Sequence, residues 1–476
     1  MATTISTLAG RDGGGVPLTA KHVEELRACA DGPVLRPGDE GWDEACLLWN
    51  GMIRRTPALV ARPGSAQGVA GAVRFARDHG VLLGIKGGGH NIAGTSMAPG
   101  GLTLDMSRMH GVTVDPGSGR AHVAPGALLR DVDRATQAHG LATVLGFVSN
   151  VGVAGLTLGG GFGYLSRRFG WTVDNLEEVE IVTADGVVRK ASRVEHPDLF
   201  WAVRGGGGNF GVVTRFTYRL HEVGPVVTGG LIAWGAERAS DVLEVYRELA
   251  AAAPRELTAV IVVRAAPPAP FVPPEWHGRP VIGVLVCHSG PEADAHLATL
   301  RALGEPVFDT ISERPYTDQQ SLLDATDVKG NHQYWKTEYL PGLSAEYHDA
   351  FRDAALRFTS PLSYSVLFAL GGALNERADD DGAVGNRDAR FVTGFSGVWL
   401  PDDPRGDEHI EWVRRSWQAI RPFSTGGNYV NFQVAEDGPD RTAAAYGGNF
   451  RRLQRVKAQY DPDNLFRVNR NIAPER

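Results

Sequence analysis

Three glycine clusters constrain this chain of 476 residues more than any other feature. They are Gly87-Gly88-Gly89-His90-Asn91, residues 159–163 and residues 205–211. Glycine lacks Cβ, so its backbone N–H groups can approach a diphosphate closely and adopt positive φ where a turn needs it. The histidine that ends the first cluster would stand beside such a ligand. The pattern predicts a flavin dinucleotide site, with His90 as the candidate for a covalent tether; the alternative is that these glycines only make tight turns.

The third cluster also contains the pattern G-x-G-x-x-G, formed by Gly206, Gly208 and Gly211. In a nicotinamide-binding Rossmann unit this motif follows a strand and opens a helix. Here residues 212–218 are β-branched and aromatic with alternating polarity, which is typical of a strand. The context therefore excludes a Rossmann site.

Bulk properties exclude several function classes. A formal net charge of −7 argues against nucleic acid or an anionic membrane as the main partner. The three cysteines, Cys29, Cys46 and Cys287, have no metal-ligand spacing, so no metal site is predicted, and their sparse use fits a reducing compartment. Residues 1–16 lack the pattern of a signal peptide and are interpreted as a flexible tail, and no segment has the length of a membrane span. A cytoplasmic protein is expected.

The periodicity predicts an α/β unit that leads directly into the first glycine cluster, followed by a hairpin at Asp185-Gly186. After residue 224 long apolar strands alternate with helices, which indicates an antiparallel sheet backed by helices. The predicted helices are 19–32, 41–50, 66–79, 127–138, 237–253, 291–303 and 440–458. The predicted strands are 58–62, 81–85, 101–105, 120–124, 177–184, 228–233, 258–264 and 281–287.

Five blocks resemble a known family when they are taken in order. They are the first glycine cluster and residues 151–161, 174–176, 198–207 and 469–472. Together they are similar to the FAD-linked oxidases of the berberine-bridge-enzyme type, within the p-cresol methylhydroxylase/vanillyl-alcohol oxidase fold. The resemblance covers 42–222 and 440–476 closely. It is strongest to bacterial members with one flavin attachment, such as the 6-hydroxynicotine oxidase and enterocin-type enzymes.

The resemblance implies an α+β fold with three sequence segments. An FAD-binding domain of the p-cresol methylhydroxylase type would be built from residues 1–223 and 425–476. Residues 224–424 would form an inserted substrate-binding domain of antiparallel sheet plus helices. The implied partners are a small-molecule substrate and O2, with a monomer or homodimer as the assembly.

The resemblance also implies that His90 carries FAD covalently through the 8-methyl group of the isoalloxazine ring. Many relatives attach the flavin a second time through a cysteine, but Val148 occupies that position here and cannot form a thioether. A single attachment is therefore expected. The implied flavin contacts are Lys86, Gly87, Gly88, Gly89, His90, Asn91, Gly94, Gly146, Gly152, Gly155, Leu156, Gly159, Gly160, Gly161, Gly163, Asp174, Asn175, Gly207, Gly208, Asn209, Gly211, Val212, Tyr429, Asn431, Asn469 and Asn471.

Val151 occupies the family position beside the flavin locus where oxygen reacts. A valine there leaves room for O2, whereas leucine tends to block it, so the resemblance favours an oxidase over a dehydrogenase. The alternative is that Val151 is only a core residue.

An oxidase usually needs a base for the proton that leaves with the hydride. The family's tyrosine base is missing, because the segment expected as a strand reads Tyr429-Val430-Asn431-Phe432. The remaining candidates are Tyr164, Tyr364 and His332, with Asn150 as a hydrogen-bond partner. Each could equally be ordinary packing, and some substrates need no protein base.

The sequence thus favours an FAD-dependent oxidase of a small secondary metabolite or alkaloid-like alcohol or amine, releasing H2O2. Two alternatives stay open: an oxygenating or rearranging biosynthetic flavoenzyme, and a drug-binding or resistance flavoprotein. Val151 counts against the first alternative, since the enterocin-type relative is expected to carry a threonine-like residue at that position.

Overall fold

The computed structural model describes residues 4–475. Its first element corrects the prediction of a flexible tail over 1–16. Strand β1 (Thr4–Ala9) pairs antiparallel with β2 (Gly15–Thr19), and helix α1 (Ala20–Cys29) follows. Leu8 and Leu18 are buried in one hydrophobic cluster with Leu26, so apolar burial holds the hairpin against the domain. Residues 1–3 of the predicted tail lie outside the described residues.

A small α/β unit carries the first glycine cluster. Its sheet has the order β3-β4-β6-β5, and β6 pairs in parallel with both β4 and β5. Ser65 caps the N-terminus of the helix between β4 and β5, since its hydroxyl accepts a hydrogen bond from the Gly68 N–H at 3.1 Å. The strand predicted over 81–85 is present as Leu83–Lys86 and leads into the glycine cluster. The elements are β3 (Val34–Leu35), α2 (Trp42–Cys46), β4 (Leu59–Ala61), α3 (Ala66–Asp78), β5 (Leu83–Lys86) and β6 (Leu102–Asp105).

A second sheet of five antiparallel strands follows, with the order β11-β10-β12-β8-β7. The third glycine cluster leads into β12, not into a helix, which confirms the interpretation of the G-x-G-x-x-G pattern. The hairpin at Asp185-Gly186 is also confirmed. The elements are β7 (Val112–Asp115), β8 (Arg120–Val123), α4 (Leu129–Gln137), β9 (Leu141–Ala142), α5 (Val153–Leu158), α6 (Ser166–Phe169), β10 (Leu176–Val182), β11 (Val188–Ser192), α7 (Pro197–Val203), β12 (Val212–Arg219) and β13 (His221–Glu222).

Residues 226–420 build a large antiparallel sheet of the order β17-β14-β16-β15-β20-β21-β19, with β18 paired to β14. The elements are β14 (Val226–Gly235), α8 (Ala239–Ala252), β15 (Leu257–Ala265), β16 (Pro280–His288), α9 (Ala293–Arg301), β17 (Phe308–Asp309), β18 (Ser312–Pro315), α10 (Tyr316–Gln320), β19 (His332–Leu340), α11 (Ala345–Ala355), β20 (Tyr364–Ala369), β21 (Phe391–Trp399) and α12 (Gly406–Ile420).

The two faces of this sheet differ because side chains alternate along each strand. On β15, Ile261 and Val263 belong to the hydrophobic cluster that contains residues of α8, α9, α11 and α12. The alternate residues Val260, Val262 and Arg264 face a cavity on the other side. The helices therefore cover one face of the sheet, and the other face is left to form one wall of a site.

The C-terminal segment returns to the first part of the molecule. Helices α13 (Pro439–Tyr446) and α14 (Phe450–Tyr460) replace the single helix predicted near 440–458, because the chain turns at Gly447 with φ +53°. The buried Lys457 ammonium donates to the carbonyl oxygens of Asn209 (2.7 Å) and Phe466 (2.8 Å) and to the Asp461 carboxylate (2.6 Å). These contacts tie the C-terminus to the third glycine cluster.

One further correction concerns residues 429–432. The sequence predicts a strand with alternating faces here, but Val430–Phe432 is a 3-10 helix, and the Phe432 N–H donates to the Tyr429 carbonyl. The 3-10 helices of the structure are Met106–Arg108, Thr172–Asn175, Gly207–Asn209, Ala236–Arg238, Pro274–Trp276, Asp324–Thr326, Gly372–Asn375, Arg421–Phe423, Val430–Phe432 and Gly447–Asn449. Between residues 4 and 475 no helix combines the length and apolarity needed to cross a bilayer.

Candidate active site

A long cavity lies between the glycine-rich loops and the open face of the large sheet. Its volume of about 390 Å³ is in the range of small-molecule sites. One wall is backbone from the glycine loops, and the other consists of side chains from β15, β16 and β20. The two walls come from regions far apart in sequence.

The loop of the first glycine cluster lies directly against the beginning of α5. A Cβ added to Gly88 would come within 2.5 Å of the Gly152 nitrogen, and one added to Gly152 would come within 2.4 Å of the Gly88 nitrogen. No side chain fits at either position, because a packed interior cannot yield that space. Glycine is required here for close approach of two backbones.

The same loop presents unused hydrogen-bond donors. The backbone N–H groups of Gly88, Gly89, His90 and Asn91 have no acceptor within residues 4–475. Backbone N–H groups almost always find a partner, and successive N–H groups in a turn suit an anion. The donors and the glycine wall fit the diphosphate and adjoining groups of a dinucleotide.

Most of the predicted flavin contacts line this cavity. They come from all three glycine regions, from the 3-10 turn at Val430–Phe432 and from the C-terminal segment. The lining members of the prediction are Gly87, Gly88, Gly89, His90, Asn91, Gly146, Gly152, Gly155, Leu156, Gly159, Gly207, Gly208, Asn209, Gly211, Val212, Tyr429, Asn431 and Asn469.

The remaining predicted contacts lie behind the wall: Lys86, Gly94, Gly160, Gly161, Gly163, Asp174, Asn175 and Asn471. Three of them are occupied elsewhere. The Lys86 ammonium donates to the Ala45 carbonyl at 2.6 Å. The Asp174 carboxylate pairs with Arg387 at 2.8 Å, and the Asn175 amide oxygen lies 2.7 Å from His221 Nε2.

Asp174 and Asn175 are therefore engaged with other side chains and are not on the cavity wall, and their contact with the flavin stays a prediction. Gly161 has a comparable supporting place, since its N–H donates to the Tyr429 hydroxyl at 3.0 Å. One sequence motif can contain residues that face the cavity and residues that support them from outside it. The sequence alone does not distinguish the two groups.

His90 stands at one end of the cavity. Its ring stacks on Trp49 with centroids 4.9 Å apart, and its Nε2 lies 3.5 Å from Oδ2 of Asp327. Burial lowers the pKa of His90 to about 4 and raises the pKa of Asp327 to about 7. The imidazole is therefore neutral at pH 7, and Nδ1 has no hydrogen-bond partner in the described chain. A neutral imidazole has the lone pair that bond formation to carbon requires.

Val148 and Val151 both line the cavity. Cys29 and Cys46 are half-buried and Cys287 is buried, all three lie within the described residues, and none belongs to the cavity wall. The side chains that face this site thus include no thiol.

The structure brings only some of the acid–base candidates to the cavity. Tyr364 lines it, and burial raises the pKa of this phenol. Tyr164 is buried behind Phe147, with ring centroids 4.9 Å apart. The Asn150 amide oxygen accepts from Arg130 at 2.6 Å, and the His332 ring packs edge-on against Trp399. Tyr164, Asn150 and His332 are not on the cavity wall, and a direct role for them stays a prediction that this placement does not support.

Aromatic rings surround the cavity near the Val430–Phe432 turn. Phe162 lies edge-on to Tyr429, Phe368 and Phe432, with centroids 5.1, 5.4 and 6.1 Å away. The Tyr429 hydroxyl accepts from the Gly161 N–H and from the Asn431 amide, each at 3.0 Å, and burial raises its pKa to about 12. Tyr429 therefore keeps its proton at neutral pH and can donate it as a hydrogen bond into the cavity.

The cavity wall also holds residues that the sequence did not indicate, among them Asp327, Arg264 and Trp335. Arg264 follows Val260 and Val262 at alternate positions of a predicted strand, so the period of two could have placed it on the same face. Trp335 has an equivalent place on β19. Asp327 directly follows the short 3-10 helix Asp324–Thr326 and carries no sequence signal.

Known proteins share this architecture. The family model "FAD binding domain" matches residues 57–192, and the model "Berberine and berberine like" matches residues 428–473. The chain is 32% identical over 456 residues to (R)-6-hydroxynicotine oxidase of Paenarthrobacter nicotinovorans, covering 93% of this chain and 97% of that relative. It is 30% identical over 459 residues to an FAD-linked oxidoreductase of Dictyostelium discoideum, covering 95% and 97%.

The crystal structure of 6-hydroxy-D-nicotine oxidase from Arthrobacter nicotinovorans matches with a TM-score of 0.83 and 29% identity, covering 93% of this chain and 98% of that one. The α+β fold of the p-cresol methylhydroxylase type is thereby confirmed, and FAD is supported as the cofactor. These matches, the glycine wall and its unused donors agree with one another: the chain belongs to the berberine-bridge-enzyme-like family of FAD-linked oxidoreductases.

Proposed function

We propose that this oxidoreductase is an oxidase of a small secondary metabolite or alkaloid-like alcohol or amine, and that it passes the electrons to O2 to give H2O2. The observation that carries the proposal is a cavity with a glycine-backbone wall ending at a neutral histidine and an aromatic, apolar wall facing it. Bound FAD supplies the hydride acceptor. The chain binds and orients the two reactants and keeps water out.

His90 is proposed as the attachment point of the flavin, through the 8-methyl carbon. Support comes from its place at the end of the glycine loop, from its lowered pKa and from the free Nδ1. Because the three thiols are outside the cavity wall and Val148 is in it, the proposal includes a single protein–flavin bond.

Val151 is proposed to leave the space in which O2 reacts. It lines the cavity, and its backbone is fixed by hydrogen bonds at both groups: its N–H donates to the Val148 carbonyl, and its carbonyl accepts from the Leu129 N–H. Because this backbone is fixed, the volume of the side chain at position 151 determines how much space remains for O2.

Asp327 is proposed as the group that takes the substrate proton, with Tyr364 beside it. Asp327 lines the cavity, and its pKa of about 7 lets it accept a proton near neutral pH. Tyr364 keeps its proton at this pH because burial raises its pKa, so it can donate a hydrogen bond but does not act as a phenolate base. The pair gives one proton acceptor and one hydrogen-bond donor in the same cavity.

The architectural part of the proposal keeps the division into an FAD-binding domain from 1–223 and 425–476 and a substrate-binding domain over 224–424. It is supported by the large sheet, which uses only strands between Val226 and Trp399, and by the contacts of Lys457 with the third glycine cluster. A monomer or homodimer in the cytoplasm is proposed with it.

The oxidase proposal is tested without knowledge of the substrate. The flavin of the purified protein is photoreduced without oxygen and mixed with buffer containing O2 in a stopped-flow instrument. Fast reoxidation with stoichiometric H2O2 is expected. Slow reoxidation would contradict the proposal and indicate a dehydrogenase with another acceptor. A panel of amines and alcohols, with 6-hydroxynicotine among them, is then screened for peroxide release.

A further inference from the structure

Arg264 places a cation on the otherwise apolar sheet wall. It is the last of three alternate β15 residues that face the cavity, after Val260 and Val262. On the neighbouring strand β20, Arg264 lies opposite Tyr364, Val262 opposite Val366 and Val260 opposite Phe368. The wall is therefore a hydrophobic floor with a guanidinium and a phenol at one end.

The guanidinium has almost no partner within the chain. Its Nε donates to the Ala265 carbonyl at 3.2 Å. Between residues 4 and 475, no acceptor takes its terminal nitrogens, and no carboxylate forms an ion pair with it. Burial lowers the pKa of Arg264, because the charged guanidinium loses part of its hydration. A desolvated charge without a partner destabilises the fold, so folding alone does not explain it.

Arg470 gives the contrast. It also lines the cavity, but its guanidinium donates to the carbonyl oxygens of Asp437, Gln433 and Val434. Those bonds hold the C-terminal segment in place. Arg264 makes no comparable set of hydrogen bonds within residues 4–475, although both side chains line the same cavity.

A series of ring contacts connects the neighbourhood of Arg264 to His90, the proposed attachment point of the flavin. Tyr364 packs on Trp335 (6.3 Å), Trp335 on Trp49 (5.6 Å), and Trp49 on His90 (4.9 Å). The third glycine cluster contacts the C-terminal segment through Asn209 and Arg470 instead. With the flavin attached at His90 as proposed, Arg264 would face the part of the cavity that holds the isoalloxazine ring and the substrate.

We propose that Arg264 binds a carboxylate of the substrate, so that this enzyme acts on small apolar or aromatic alcohols or amines that carry a carboxylate, with the Tyr364 phenol as a second donor. The planar fork of a guanidinium matches a carboxylate in two parallel hydrogen bonds. A phosphate would bring two charges against one unpaired cation. The proposal rests on the proposed function, because it names the substrate class of that same cavity.

The test is a binding comparison on the purified flavin-loaded protein by isothermal titration calorimetry. Benzoate, phenylacetate and 3-phenylpropionate are each compared with the amide of the same acid. The acid should bind at least about tenfold more tightly than its amide, the factor that a charge-assisted hydrogen bond supplies. Arg264→Gln should remove this preference by weakening the acid and leaving the amide within about twofold.

Two further variants keep the result interpretable. Arg255→Gln is the matched control, since Arg255 is exposed and pairs with Glu376 outside the cavity, and it should keep the preference. If Arg264→Gln does not fold, Arg264→Lys replaces it and should retain part of the preference, because lysine keeps the charge but not the fork.

Equal affinity of acid and amide in the wild type overturns the proposal, as does a preference that survives Arg264→Gln. Failure of all three acids to bind below about 10 mM overturns it as well, since this is the weakest range of a specific site. Binding does not depend on turnover. A protein that prefers acids but whose reduced flavin ignores O2 would contradict the oxidase proposal and leave the assignment of Arg264 intact.

Discussion

The two walls of the cavity are built in opposite ways. The glycine wall uses backbone: its donors are N–H groups, and its side chains are mostly absent so that chains and ligand can approach. The sheet wall uses side chains at alternate positions of strands that pair across long stretches of sequence. Recognition of a ligand by backbone groups depends on a local sequence pattern. Recognition by side chains depends on which residues the tertiary structure brings together. The first wall can serve a whole family with one cofactor, whereas the second can be changed residue by residue.

The largest effect is expected when His90, the proposed point of flavin attachment on the glycine wall, is removed. In His90→Ala, acid denaturation should release all flavin into the supernatant, whereas the wild type should keep it on the polypeptide. The reason is that alanine offers no atom for the bond. His332→Ala is the control, because His332 lies outside the cavity. Wild-type flavin found wholly in the supernatant would contradict the attachment, and a mass showing two protein–flavin bonds would contradict only its single character.

Asp174→Asn tests whether a motif residue behind the glycine wall acts only as support. The buried carboxylate pairs with the buried Arg387 at 2.8 Å, so the variant should lose about 3–5 kcal/mol of unfolding free energy in urea. Asp349→Asn, in an exposed pair with Arg352, should lose less than about 1 kcal/mol. Flavin content per folded molecule should stay unchanged. A folded variant without flavin would support the prediction that Asp174 contacts the cofactor.

Asp327→Asn probes the sheet side near His90. With a substrate found in the peroxide screen, wild-type kcat/KM should rise with pH through about 7, because the carboxyl must lose its proton before it can accept one. The variant should be about 100-fold slower above this pH, with the rise gone. Asp318→Asn, on the exposed side of α10, is the control. An unchanged pH profile would remove Asp327 from proton transfer.

Val151→Leu should have the smallest effect. One added methylene in a packed site should slow flavin reoxidation by O2 about tenfold and leave reduction within about twofold, as measured by stopped flow on both half-reactions. Val366→Leu adds the same group to the sheet wall and should spare reoxidation. Equal slowing of both half-reactions would indicate general disruption. An unchanged reoxidation rate would show that Val151 does not control oxygen access.

The difference between the walls also explains what the sequence could predict. The strand that leads into the first glycine cluster, the strand after Gly211 and the family of the chain follow from local patterns. The hairpin of residues 4–19 was missed because its few apolar residues are separated by glycines and gain their burial only from α1 and the β3–β6 sheet. The 3-10 turn at Val430–Phe432 was missed because its conformation depends on contacts with the glycine wall, such as that of Asn431 with Gly155.

The site residues also fall into two groups, those that local motifs predict and those that only the tertiary structure brings to the cavity. Gly88, His90 and Asn209 could be placed from motifs, and the structure finds them on the cavity wall. Asp327 acquires its raised pKa and its closeness to His90 only when a loop 237 positions later folds against the first cluster. Tyr164 and His332 were candidates by residue type and region, but the structure does not place them on the cavity wall, because residue type does not establish which way a side chain faces.

The contact between Gly88 and Gly152 sets a limit on protein engineering. Each backbone occupies the space that a Cβ on the other would need, so a substitution at one position cannot be rescued by a second substitution at its partner. In a mutant library, functional variants should therefore keep glycine at both positions. A displacement of one loop should require a displacement of the other. Redesign of substrate range has its freedom elsewhere, at Val260, Val262 and Val366, where side-chain size can vary without moving the main chain of either loop.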